Sequence, residues 1–201
     1  VEKKRMTGYR ITTGVAIFWL IVGSAAAGQE VTREPGGSIG TELGYGVLLN
    51  AGSSLTRKWI TIHDGSLPAD IDGTVGIKTA FDKEKRRYEY TTRYAIKTQE
   101  ALSAIEVRFL VFDVWGAHIR TLSSTDIVDI AADAYKRLDA TWRLYSENEA
   151  SEYYASIAWI ARIRTKDGRV IKTDPEIVLD EATKFSEQFS EDDLEPKSDT
   201  K

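Results

Sequence analysis

The chain has 201 residues, 42% apolar and 29% charged, with 27 Lys and Arg against 31 Asp and Glu; that balance excludes a disordered polyelectrolyte and a multispan membrane protein. A formal charge of −4 with both signs interspersed gives no electrostatic reason to bind nucleic acid. With no cysteine, disulfides and thiolate metal sites are ruled out, so the core alone must hold one modest domain.

Residues 1–27 have the composition of an export leader. Lys3, Lys4, Arg5 and Arg10 precede the uncharged run 11–22, and Ala25-x-Ala27 then supplies the small-x-small pattern that places a cleavage point after Ala27. The run is shorter than the about 20 apolar residues a spanning helix needs. A cleaved chain is exported, periplasmic or extracellular, with a net charge of −7 once four bases and one acid are removed. Only an uncleaved leader would tie it to a membrane. Export together with the absence of cysteine suggests a bacterial envelope protein.

Residues 28–54, rich in glycine and without sustained periodicity, are read as a linker or arm. The next segment, 55–174, alternates with period two between charged, Gly and Asp-Gly turns, which is strand patterning. About eight strands are expected: 57–63, 74–82, 87–97, 103–114, 118–122, 136–145, 153–164 and 169–173. The clearest puts Tyr88, Tyr90, Thr92, Tyr94 and Ile96 on one face. In 103–114, Ile105, Val107, Phe109 and Val111 face inward, yet Leu110, Phe112 and Val114 make the opposite face apolar too, so something must cover it. Residues 153–164 are expected to hold Tyr153, Ala155, Ile157, Trp159, Ala161 and Ile163 on one face, and Lys166-Asp167-Gly168 to close a hairpin.

Asp174 and Pro175 open an amphipathic helix over 175–189, whose stripe of Ile177, Val178, Ala182, Phe185 and Phe189 needs a surface to bury against, for which the apolar end of 109–114 is a candidate. Residues 190–201 read as a disordered acidic tail. The pattern as a whole predicts an all-β, antiparallel immunoglobulin-like β-sandwich with one C-terminal amphipathic helix.

The stretch Ala104-Ile-Glu-Val-Arg-Phe-Leu-Val-Phe-Asp-Val-Trp-Gly116, followed by Ile119-Arg-Thr-Leu122 and Asp126-Ile-Val-Asp-Ile130, resembles the bacterial extracytoplasmic FxLYD domains over about residues 96–165. The resemblance implies a small β-sandwich outside the cytoplasm and no catalytic residues.

Each reactive-looking motif has a plainer reading. Gly36-Gly37-Ser38-Ile39-Gly40 matches G-x-S-x-G but lies in the arm, without the strand-to-helix turn a nucleophile elbow needs. His63 and His118, the two histidines, have no short-spaced ligand partner, and Asp70-x-Asp72-Gly73 lacks the later Glu of a calcium loop and reads as a turn. Glu147, Glu149 and Glu152 sit in a polar turn, and 83–87 is a solvated basic hairpin. No cofactor, metal or catalytic residue is expected.

Most of the aromatics, among them Trp59, Trp142 and Trp159, are read as core; Trp115, on a turn, is expected to fold back over the sandwich edge. The leading functional expectation is a non-enzymatic module that binds an envelope protein through strand edges or through an end comprising Phe112, Val114, Trp115 and His118. The alternatives are a glycan or small-ligand module using Trp115, and a hydrolase on a β scaffold.

Overall fold

The computed structural model describes residues 28–38 and 56–197. Among these residues ten strands run in the order β1 (Gln29–Ser38), β2 (Thr56–Asp64), β3 (Ala69–Ile71), β4 (Lys78–Asp82), β5 (Arg87–Thr98), β6 (Leu102–Asp113), β7 (His118–Asp126), β8 (Tyr135–Arg143), β9 (Tyr153–Thr165) and β10 (Val170–Lys172). Helix α1 (Glu147–Ser151) lies between β8 and β9, and α2 (Glu176–Thr183) follows β10. One sheet has the order β1-β2-β9-β6-β7, with β10 also paired to β9; in the other, β5 is flanked by β8 on one side and by β3 and β4 end to end on the other.

The fold is all-β, two sheets over a shared core, as the strand patterning predicts. Tyr88, Tyr90, Tyr94 and Ile96 of β5 pack against Ile105, Val107, Phe109 and Val111 of β6, all buried. A second apolar layer lies on the far face of the larger sheet, where Leu110 and Phe112 of β6 meet Val178 and Ala182 of α2, then Phe189 and Leu194. The apolar end of β6 and the C-terminal stripe do cover each other.

Four expectations need correction. Gln29–Ser38, assigned to the arm, is an edge strand paired along β2, with Pro35 at a position an edge tolerates. The larger sheet is not wholly antiparallel, since β2 runs parallel to β9 from Lys58↔Ala155 to Ile62↔Trp159; alternation reports the face a side chain takes, not strand direction. On β9 the single expected face is broken by register shifts against β6. Tyr153 and Ile163 therefore enter the core between the sheets, whereas Ala155, Ile157 and Trp159 join the layer under α2, because a one-residue bulge flips every following side chain.

The C-terminal segment also departs from expectation. Helix α2 stops at Thr183, with Asp174 Oδ1 accepting the Glu176 N–H at 3.0 Å, and the apolar stripe continues through turns. The expected acidic tail is packed as far as it is described: Glu191–Leu194 forms a 3-10 turn with Leu194 buried. Arg108 holds that segment, donating to the Leu194 carbonyl at 3.2 Å and pairing with Glu195 at 2.7 Å. Arg108 and Arg162 also share the buried Glu106 carboxylate. Burial pushes that carboxyl up, but the two guanidiniums outweigh burial and hold it below the usual range. Among the described residues no helix is long and apolar enough to cross a membrane.

Candidate functional site

The β6–β7 turn lies at one end of the sandwich. Asp113 organises it: its Oδ1 accepts the N–H groups of Trp115 at 2.8 Å and Ala117 at 2.7 Å, while its own N–H donates to the Ala117 carbonyl at 2.9 Å. The Val114 N–H donates to the Glu152 carbonyl at 2.9 Å. Gly116, with φ +84°, passes so close to the C-terminal segment that a Cβ there would lie 2.6 Å from the Phe185 carbonyl oxygen. The turn is thus fixed on every side, and Trp115 projects from it 81% exposed. The expectation that its indole folds back is wrong: the apolar end of β6 is closed by Phe185 and Phe189 packed on Phe112, and the indole is left in solvent.

The other residues expected at this end divide. Phe112 is fully buried, stacked on Phe185 at 5.4 Å between ring centroids and tilted against Phe189 at 5.8 Å, so it is withdrawn from any surface. Val114 is half-buried. His118 lines a groove of about 900 Å³ beside Trp115, walled on one side by the start of β7 and on the other by residues 185–189 and 193–197. Its ring lies edge-on to Phe189 at 5.0 Å.

The Thr121 hydroxyl donates to the Asp193 carbonyl, so it accepts the His118 Nε2 proton at 3.0 Å. Burial holds the His118 pKa below its ordinary value, which keeps the imidazole neutral. With the Thr121 hydroxyl spent on a backbone carbonyl, this pair offers no activated nucleophile.

His63 belongs to a cluster that sequence reasoning missed. Its Nδ1 meets Asp70 Oδ1 at 2.8 Å and its Nε2 meets the Thr32 hydroxyl at 2.9 Å, so one imidazole ties β1, β2 and β3 together. The signal was a His and an Asp flanking a corner, but Thr32 came from the segment read as an arm. The Asp70 hydrogen bond raises the His63 pKa despite partial burial.

The two histidines therefore pull stability in opposite directions. A raised pKa contributes stability that is complete below about pH 6.5 and is lost as pH climbs through the folded value; a lowered pKa contributes stability present above about pH 6.5 and lost as pH falls toward the folded value. Urea unfolding between pH 5.5 and 8 is expected to show His63→Gln gaining stability relative to the parent as pH rises and His118→Gln gaining it as pH falls. The same slope in both variants would contradict these environments.

The described residues of the remaining motifs are built into strands, turns and ion pairs. Gly36–Ser38 lies in β1, and a Cβ on Gly36 would meet the Trp59 Nε1 at 2.8 Å, so that glycine makes room for an indole; Ile39 and Gly40 lie outside the described residues. Asp70 falls in β3 rather than a turn, and Asp72 pairs with Lys97. Glu149 is held by Arg120 at 3.5 Å and by the Tyr145 N–H at 3.2 Å, whereas the Glu147 side chain lies outside the described residues. Residues 83–86 form the β4–β5 turn, where Lys85 pairs with Asp82 at 2.9 Å. Trp59 and Trp142 are half-buried, and Trp159 is buried under α2. Among the described residues no group of three or more His, Asp or Glu side chains is placed to hold a metal.

Trp115→Ala is expected to leave stability within about 0.5 kcal/mol of the parent, while Asp113→Ala, which strips two backbone N–H groups of their acceptor, is expected to cost about 1–3 kcal/mol. Paired denaturation curves check both; a larger loss for Trp115→Ala would mean that the indole is packed.

No family model and no curated protein matches the chain. Among solved structures it is similar to a hypothetical protein from Peptoclostridium difficile 630, determined by X-ray at 1.85 Å, with 9% sequence identity over 58% of this chain and 91% of that chain, at a TM-score of 0.42.

Proposed function

We propose that the chain is an exported, non-enzymatic β-sandwich module of the bacterial envelope, and that it recognises another envelope component at the Trp115 end. The observation that carries the reading is the 81% exposure of Trp115 on a turn whose backbone is pinned by Asp113. Burying a large apolar side chain is worth about 1.5–3 kcal/mol, and a rigid turn that forgoes this gain holds the indole ready for a partner at little entropic cost. The leader-like residues 1–27 and the FxLYD-like stretch support the compartment.

Co-sedimentation of the full chain with washed bacterial envelopes tests this. Trp115→Ala is expected to abolish most of the binding, and Ile127→Ala, also at an exposed apolar residue but at the opposite end of β7, is expected to keep it. Equal binding by the parent and Trp115→Ala would overturn the reading.

A further inference from the structure

We infer that the component taken at this end is a neutral, β-linked carbohydrate chain, with one sugar stacked on Trp115 and the next lying in the adjoining groove. This rests on the reading of the Trp115 end as a recognition surface and adds the chemistry of what it recognises.

Size comes first. The groove's volume of about 900 Å³ falls within the about 300–1,000 Å³ usual for small-ligand sites.

Charge comes next. Arg120 is paired with Glu149 at 3.5 Å, Lys197 with Asp193 at 2.9 Å, and Glu195 with Arg108 at 2.7 Å. Each cation lining the groove therefore already has its carboxylate, and none is left to select an anion. The His118 imidazole beside them is neutral. What remains is a run of polar side chains, Ser186, Glu187 and Gln188, which line the groove and make no hydrogen bond or ion pair with the described residues. A hydroxyl, a carboxylate and an amide together offer donors and acceptors suited to sugar hydroxyls.

The apolar inventory argues against a protein as the occupant. A protein hot spot needs a desolvated pocket for an anchor side chain. Here Phe185 is stacked on Phe112 and Phe189 is buried against Phe112 and His118, so the aromatic rings of the groove are already packed within the chain. The projecting indole is different, since it is a flat apolar plate beside a polar trough. A β-linked glucose or N-acetylglucosamine unit has that same division: axial C–H groups make each ring face apolar, and equatorial hydroxyls or amides ring its edge. Stacking would bury the C–H face on Trp115 and swing the edge groups toward 186–188.

The test titrates the full chain with cellotriose and with the β-1,4 trimer of N-acetylglucosamine, read by tryptophan fluorescence. A saturable change with at least one trimer is expected by about 10 mM, weakened about tenfold or more in Trp115→Ala and about threefold in Gln188→Ala. Thermal midpoints of both variants should match the parent, and the affinity should not fall at high salt, as it would for an ion-paired ligand. The inference is overturned if neither trimer binds, or if Trp115→Ala binds them as the parent does. A photo-crosslinking residue at the exposed Ala117 separates the two levels of failure. A protein captured from envelopes, without sugar binding, removes the carbohydrate and leaves the recognition surface; no sugar binding together with Trp115-independent envelope binding removes both.

Discussion

Phe112→Ala is expected to lower the unfolding free energy by about 3–5 kcal/mol, because the ring is fully buried and its loss leaves a cavity between β6 and the C-terminal turns. For a domain of this size that corresponds to a fall of about 10 °C in the thermal midpoint. The consequence reaches the recognition groove, since Phe185 and Phe189, which wall it, both rest on Phe112. Hydrogen exchange should therefore quicken over 185–197 more than over β5, which packs on the other side of the larger sheet. Urea unfolding checks the magnitude; a loss under about 1 kcal/mol would show that the C-terminal segment does not seal that face.

The second large effect is steric. A Cβ on Gly76 would lie 2.1 Å from the Trp59 ring carbons Cγ and Cδ2, a separation no packed pair of carbons accepts. Gly76→Ala is expected to cost about 1–3 kcal/mol or more by forcing the indole out of its slot. The cause can be isolated. In the Trp59→Ala background the same substitution should cost almost nothing, so the double-mutant cycle should show strong coupling. Additive effects would place the strain in the backbone at Gly76 instead.

Where a single local rule dominated, the sequence was readable. The alternation of β5 and of the inward face of β6 followed from period-two patterning, and the doubly apolar end of β6 correctly called for a cover from the C-terminal stripe. Features that depend on distant partners were not. Gln29–Ser38 carries Pro35, Gly36 and Gly37, poor strand formers, and is a strand because β2 supplies a ladder and Trp59 needs Gly36 beneath it. The bulges of β9 are set by its register against β6, which alternation within one segment does not encode.

The acidic stretch after Phe189 looked solvated by composition. One buried leucine and the reach of Arg108 from another strand were enough to fix it. At the candidate site the sequence located the end of the sandwich but misjudged its members. Phe112 was assigned to the binding end although the same reading called for a cover over it, and the cover is what the structure has; Trp115 was expected to fold back and is displayed. The cover that seals Phe112 comes from Phe185 and Phe189 and does not extend to the indole, which stands beyond it on the turn.

The account turns on Trp115 standing in solvent until a partner takes it. Fluorine NMR of the full chain labelled with 5-fluorotryptophan, with one resonance assigned by Trp115→Phe, tests this most directly. The assigned resonance is predicted to show the large water-to-deuterium-oxide shift of an open indole in the free chain, and to move or broaden when envelope material that sediments the chain is added. A Trp115 signal already shielded from solvent in the free chain, or one that envelope binding leaves unchanged, would contradict the account.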